Sequence, residues 1–291
     1  MNRCRTMLFM PGNNPGMLAS AGSLGADIVI FDLEDAVAQA EKDTARILVR
    51  NTLTYLKPAT EVTVRINALD TPYWKDDIDA AIQGGAEYIL APKCAQASDV
   101  HTLMGAIEEA EARTGTTKKL LLIALIESAL GVENAFALAT SHPRLTGILL
   151  GAEDLTAELG AKRTAVGQEI LYARSRIVMA CRAAGIKALD TPFPFVTDLE
   201  GLAADAAFSA QLGFDGKAVI SPHHVHAVNE AFSPTAEQVR WAERVMVVAR
   251  RAKEEGKGAV SLDGMMIDLP IIKRAERILS RAADTTETCN A

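Results

Sequence analysis

Short apolar runs rich in β-branched residues alternate with longer stretches whose apolar positions recur at helical spacing, through roughly the first 230 residues. Eight of the runs read as strands: Arg5 to Met10, Ala26 to Glu34, Glu61 to Asn67, Tyr88 to Lys93, Leu120 to Glu127, Leu145 to Asp154, Gly185 to Thr191 and Gly216 to Ser221. Between them, Ala40 to Leu56, Ser98 to Gly115, Gly167 to Ala184 and Asp198 to Leu212 read as helices with a polar face. Ser98 is a predicted N-cap, and Gly115, Gly185 and Gly213 stand where a helix ends with positive φ. Eight βα units in this length point to a (β/α)8 TIM barrel, whose usual size is about 250 residues. A doubly wound open sheet is the alternative.

The barrel is favoured by where polar groups fall. Nearly every predicted strand ends in one: Asp32 and Glu34, Arg65 and Asn67, Lys93, Glu127, Asp154, Asp190, Ser221. In a parallel barrel these ends ring one face, where catalytic groups gather. The pattern changes after residue 232, so residues 1–232 are read as the catalytic barrel and 233–291 as a C-terminal helical extension. A helix from Thr235 to about Glu255 carries Trp241, Val245 and Val248 on one stripe and breaks at Gly256 and Gly258. A second starts near Pro270 with Ile271, Ile272, Ala275, Ile278 and Leu279. The apolar SLDGMMIDLP between them is expected to pack over something, and the tail after Ala282 to be loosely ordered.

Composition narrows the function. A chain of 291 residues with 49% hydrophobic and 23% charged residues can bury a substantial core, which excludes disorder as its main state. With 30 Lys and Arg against 37 Asp and Glu, the net charge of −7 excludes a broad basic face for nucleic acid. An anionic ligand must be held by a few local charges. The longest apolar run, Leu120 to Ile126, is far below a membrane span, and residues 1–12 reach a turn too early for a signal peptide. Cys4, Cys94, Cys181 and Cys289 are far apart with no metal or redox spacing, which suits a reducing, cytoplasmic setting.

Glu127 and Asp154 close two strongly apolar strands. Two hard carboxylates, completed by water and a chelating substrate, make an octahedral Mg2+ site; either could instead cap its strand or pair with an arginine. Arg65 leaves an apolar strand, and its planar fork suits a carboxylate or a developing oxyanion, with Asp32 or Glu34 as a structural partner. Asp32 and Glu34 share a face by strand periodicity while Asp35 points away if the strand persists. Their roles are to orient Arg65 or to bind waters around a metal. Lys93 is a candidate Schiff-base lysine if buried, and otherwise a cation that anchors a carboxylate or phosphate. His223, His224 and His226 in SPHHVH read as a polar loop rather than a zinc site, and His101 and His142 are assigned nothing. GxSxG, P-loop and GxGxxG signatures are missing, so metal-assisted carbanion chemistry remains.

RTMLFMPGNNPGML, FDLEDAV followed by EKDTAR, VRIN, AAIQGGAEYI, APK, IES, GAEDL, GFDGKAVISP and MIDLPII occur in an order that resembles the citrate lyase β subunit family and its free-standing acyl-CoA lyase relatives, in the HpcH/HpaI aldolase superfamily. The resemblance runs nearly end to end. It implies a Mg2+-dependent (β/α)8 lyase that cleaves a 3-hydroxyacyl thioester, here citryl-thioester, into oxaloacetate and an acetyl thioester. By the matching motifs, IES and GAED make Glu127 and Asp154 the metal ligands, and VRIN makes Arg65 the clamp on the 2-oxo acid. MIDLP makes Asp268 the acid/base residue, supplied by the C-terminal segment of a neighbouring subunit. Homotrimers or hexamers are implied, with the thioester on CoA or an acyl carrier protein, and citrate lyase α and acyl carrier subunits as candidate partners.

The chain departs from the β-subunit pattern at Leu155, where an aromatic is usual, and at Asp190 to Phe195 (DTPFPF), where DTVYSD is usual. Ser221, Pro222 and His223 replace the usual NPR. These changes bear on the carrier and the acid substrate, and a stand-alone malyl-CoA or citramalyl-CoA lyase is the nearest alternative. A Schiff-base aldolase using Lys93 and a non-catalytic subunit are the alternatives of another class.

Overall fold

The computed structural model describes residues 3–254 and 260–286. They divide into two compact units, with the division between Asn229 and Glu230.

In the first unit eight parallel strands close into a barrel in sequence order: β1 (Thr6–Pro11), β2 (Ile28–Asp32), β3 (Glu61–Arg65), β4 (Tyr88–Ala91), β5 (Leu121–Ile126), β6 (Leu145–Leu150), β7 (Lys187–Asp190) and β8 (Gly216–Val219). β8 returns to pair with β1 through Thr6↔Lys217, Met7↔Ala218 and Leu8↔Val219, so the open sheet is excluded. The helices are α1 (Pro15–Ser20), α2 (Lys42–Asn51), α3 (Trp74–Gly84), α4 (Ala97–Thr114), α5 (Ala129–Glu133), α6 (Ala135–Ala139), α7 (Ala152–Glu158), α8 (Leu171–Ala184), α9 (Leu199–Leu212) and α10 (Pro222–Ala231). Gly115, Gly185 and Gly213 end α4, α8 and α9 with φ of 68°, 74° and 103°.

Strand parity decides what lies inside. Met7, Ile28, Ile30, Leu90, Ile123, Leu125, Leu149, Leu189 and Ala218 form the packed barrel interior. Continuing the two-residue period past these positions puts Asp32, Glu127 and Gly151 at the upper rim, while Asp190 and Lys217 have the opposite parity. Asp190 is accordingly not a mouth residue. It faces outward, bonded by Arg174 of α8 at 3.0 and 2.9 Å and by Lys217 at 2.7 Å, with Asp205 of α9 completing a buried cluster. Asn67 also turns away from the mouth: its backbone and side-chain nitrogens both donate to Asp77 of α3, at 2.9 and 2.6 Å.

Several predicted boundaries shift. β6 stops at Leu150, and Asp154 sits in the first turn of α7 because Gly151 caps that helix. The N-terminus of α4 lies at Gln96 rather than Ser98, where the Asp99 carboxylate accepts from the backbone of Ala95 and Gln96, both at 2.9 Å. His223, His224 and His226 lie in α10, not in a loop, and His224 is buried against the Val196 carbonyl at 3.0 Å.

In the second unit, α11 (Ala236–Glu254) packs on α12 (Leu269–Thr286), and an antiparallel hairpin, β9 (Val260–Leu262) and β10 (Met265–Ile267), joins them. The SLDGMMIDLP stretch is this hairpin, turned at Asp263 and Gly264, both with positive φ. Ile267 joins Ala242, Val245 and Ala275 in a small core, flanked by Trp241, Ile271, Ile272, Ile278 and Leu279. Met265, Met266 and Leu269 stay exposed. α12 runs to Thr286, so the start of the tail is helical rather than loose. Gly256, Gly258 and Cys289 lie outside the described residues. No helix among the described residues is long and apolar enough to cross a membrane.

Candidate active site

The rim is assembled from strand ends that apolar packing below them fixes in place. At the top of β3, the Arg65 guanidinium is 9% exposed and meets Asp32 of β2 edge-on, with Nε to Oδ1 at 2.7 Å and Nη2 to Oδ2 at 2.6 Å. Its Nη1 lies 3.0 Å from Glu34 Oε2 and 3.6 Å from Asp35 Oδ2, and its plane covers the Phe9 ring at 5.0 Å. Burial alone would lower the Arg65 pKa, but the hydrogen bonds and charge of Asp32, then Glu34 and Asp35, raise it. Guanidinium has five N–H donors, so a fork held this way keeps donors free for a second anion.

Asp32 is itself saturated. Besides Arg65, its oxygens accept from the backbone nitrogens of Glu34 at 2.9 Å and Ala36 at 3.2 Å. It is turned toward Arg65 and the following turn, not toward the opening. The strand does not persist to Asp35: β2 ends at Asp32, and the largely exposed Asp35 carboxylate comes within 3.6 Å of Arg65 Nη1. Glu34 is 6% exposed, and burial, opposed by Arg65 and reinforced by Asp35 and Asp32, pushes its carboxyl up to about 7. Its Oε2 is buried without a hydrogen bond, although it is ion-paired to Arg65.

Glu127 follows β5 directly, 6% exposed, and its Oε1 accepts from the Lys93 backbone nitrogen at 2.8 Å. Burial, then the charges of Glu34 and Asp154 and a hydrogen bond with Asp154, push Glu127 up to about 8. Asp154 is exposed on the first turn of α7. Gly151 makes the pairing sterically feasible, since a Cβ there would lie 2.7 Å from both Cβ and Oε2 of Glu127. Lys93 is turned by a left-handed backbone (φ 56°) that aims its N–H at Glu127. Its ammonium is 4.0 Å from Glu34 Oε1, and the side chain is 55% exposed. The burial that a Schiff-base lysine requires is therefore lacking.

The arrangement suits a hard divalent cation. The charges of Glu34 and Asp154 both bear on the buried Glu127 carboxyl, and Glu34 Oε2 is buried without a hydrogen bond. Yet no group of three or more His, Cys, Asp or Glu that could hold an ion is present among the described residues. A two-carboxylate Mg2+ site completed by water and substrate fits both facts.

Asp268 belongs to the C-terminal unit, just before α12. Its Oδ1 accepts from Ile271 N at 3.3 Å, a helix-capping bond, and it sits beside the exposed Leu269. Sequence reasoning gave no role to Lys42, whose Nζ donates to the carbonyls of Leu33 at 2.7 Å and Glu34 at 2.6 Å. EKDTAR was the available signal. Gly151 was also missed, although it lies inside the GAED motif.

A closed parallel barrel that gathers Glu127, Asp154 and a locked Arg65 at its C-terminal rim is an arrangement consistent with the aldolase-type lyases. The chain belongs to the HpcH/HpaI aldolase/citrate lyase family, whose profile matches residues 5–222. It is 45% identical over 283 residues to the citrate lyase subunit beta of Leuconostoc mesenteroides subsp. cremoris, covering 96% of this chain and 93% of that one. It is 36% identical over 304 residues to an L-malyl-CoA/beta-methylmalyl-CoA lyase of Cereibacter sphaeroides, covering 97% and 94%. Among solved structures, the Mycobacterium tuberculosis protein CitE in complex with magnesium, acetoacetate and coenzyme A superposes with a TM-score of 0.80 at 33% identity, covering 97% of this chain and 100% of that one.

Proposed function

We propose that the protein is a Mg2+-dependent carbon–carbon lyase that cleaves a citryl thioester into oxaloacetate and an acetyl thioester. The observation that carries this reading is the buried Glu127 carboxyl, held by the Lys93 backbone N–H at 2.8 Å at the same rim as an arginine that Asp32 and Glu34 hold in one orientation. The magnesium and coenzyme A held by the Mycobacterium relative support it.

Glu127 and Asp154 are the residues that would hold Mg2+, and the bound ion would supply Lewis acidity to the oxo-acid half. Arg65 offers its remaining N–H groups to the carboxylate of that half, already oriented and desolvated. Lys93 fixes Glu127 through its backbone N–H and presents an exposed cation for an anionic group. Cleavage removes the hydroxyl proton, passes the C–C electron pair to the thioester, and returns a proton to its α-carbon. Asp268, supplied by the C-terminal segment of a second copy in a trimer or hexamer, is the acid/base group that takes the hydroxyl proton and returns it to the α-carbon. The carrier is CoA or an acyl carrier protein, and citrate lyase α and carrier subunits are the matching partners. Cys94 and Cys181 are free and buried, which supports a reducing, cytoplasmic setting.

The test is turnover of citryl-CoA, citramalyl-CoA and malyl-CoA by the isolated protein with Mg2+. Oxaloacetate release from citryl-CoA that EDTA abolishes is the expected result. Malyl-CoA as the preferred substrate would favour the second reading, which the Cereibacter relative motivates. No turnover of any of the three would overturn the lyase reading.

A further inference from the structure

Lys42 occupies a position that general rules disfavour in two ways. It is the first residue of α2, where the positive end of the helix dipole repels a cation, and it is 9% exposed. Burial lowers its pKa, opposed by the charges of Asp32, Glu34, Asp77 and Asp35. Its two short bonds go to successive backbone carbonyls, Leu33 and Glu34, in the turn after β2. Asp32 pins the same turn from the other side by accepting from Glu34 N at 2.9 Å. Residues 33 and 34 are thus clamped at both backbone poles. The only side chain these clamps place in the site is Glu34, 3.0 Å from Arg65 Nη1.

We propose that Lys42 is a positioning residue for the arginine clamp: its ammonium locks the 33–34 turn so that Glu34 holds one arm of Arg65 and leaves the free N–H donors facing the oxo acid. This rests on the lyase reading of the site. Lys42 touches neither substrate nor metal ligand; it acts through Glu34. A buried cation against the helix dipole is retained because an uncharged donor would hold two carbonyls more weakly.

The test measures binding of oxaloacetate and of acetyl-CoA to the full-length protein by calorimetry at saturating Mg2+. In Lys42→Met the dissociation constant for oxaloacetate is expected to rise about tenfold, some 1.4 kcal/mol, while that for acetyl-CoA stays within about twofold. In a Glu34→Gln background the same change should add less than about twofold, because the two residues act in series. Equal weakening of both ligands, no weakening of either, or full additivity with Glu34→Gln would overturn the proposal. If Lys42→Met does not fold, Lys42→Gln, which keeps N–H donors without the charge, is read by the same criteria. Wild-type protein that binds neither ligand removes the lyase reading and this proposal together, an outcome distinct from a wild type that binds both beside an unaltered variant.

Discussion

Replacing Gly151 by alanine tests the acid pair without touching either acid. The backbone at Gly151 (φ −101°, ψ 91°) is open to any residue, so the effect is steric. The new methyl would sit 2.7 Å from Glu127 Cβ and Oε2 and 3.2 Å from Leu125 Cδ1, whereas ordinary contact begins at 3.4 Å. The missing distance is 3.4 − 2.7 = 0.7 Å. Rotating the carboxylate relieves only the Oε2 contact; the Cβ contact forces the ends of β5 and β6 apart. Overpacking of this kind costs about 1–3 kcal/mol, and a misplacement approaching 1 Å at a reacting site costs about a hundredfold in rate. Calorimetric Mg2+ titration should give an affinity about tenfold weaker than wild type, and turnover at saturating Mg2+ should fall about a hundredfold. Gly105→Ala on α4, where a Cβ meets nothing within 4 Å, is the control and should match wild type in both. Wild-type Mg2+ affinity and turnover in Gly151→Ala would refute Glu127 as a ligand.

Four further outcomes are expected. Asp154→Asn should lose Mg2+ affinity, whereas Asp268→Asn should keep it and lose about a hundredfold in turnover; unchanged turnover in the second would remove Asp268 from the mechanism. Borohydride added during turnover should leave no mass adduct on Lys93, and an adduct would restore the Schiff-base route. Glu169 accepts from Thr164 N, Thr164 Oγ1 and Arg163 Nη1, all at 2.8 Å, and these bonds outweigh burial to hold its carboxyl at about 2 against an ordinary 4.5. Its stabilisation is complete above pH 4.5 and disappears as pH falls toward 2, so the melting-temperature deficit of Glu169→Gln should close across that window and persist at pH 7.

The barrel was legible because nearly every strand is a short apolar run followed by a polar residue, a pattern set by burial on both faces and emergence at one rim. Glu127 and Arg65 could be placed from that pattern alone. Asp190 and Asn67 ended strands equally well, yet both face the helices, because parity and the last residue of the strand decide the side, and a polar terminus does not reveal either. Asp154 was read one element too early: nothing in GILLGAED announces that Gly151 starts a helix. Lys42 was invisible for a different reason. A lysine at the head of an amphipathic helix looks like solvated surface, and only the fold brings the Leu33 and Glu34 carbonyls to it.

The outward cluster of Arg174, Asp190, Asp205 and Lys217 bears on how the cylinder shuts. It joins β7, β8, α8 and α9, and β7 and β8 share only the pairs Leu189↔Gly216 and Asp190↔Lys217. A slip of one residue at this seam would carry Lys217 to the wrong face and strand two acids and an arginine in a dry interlayer, a penalty of several kcal/mol. Hydrophobic side chains at the same places would tolerate the slip. The final stitch is therefore keyed like a lock ward, admitting one alignment, and the rim that β8 completes inherits its accuracy from charges that never see the reaction.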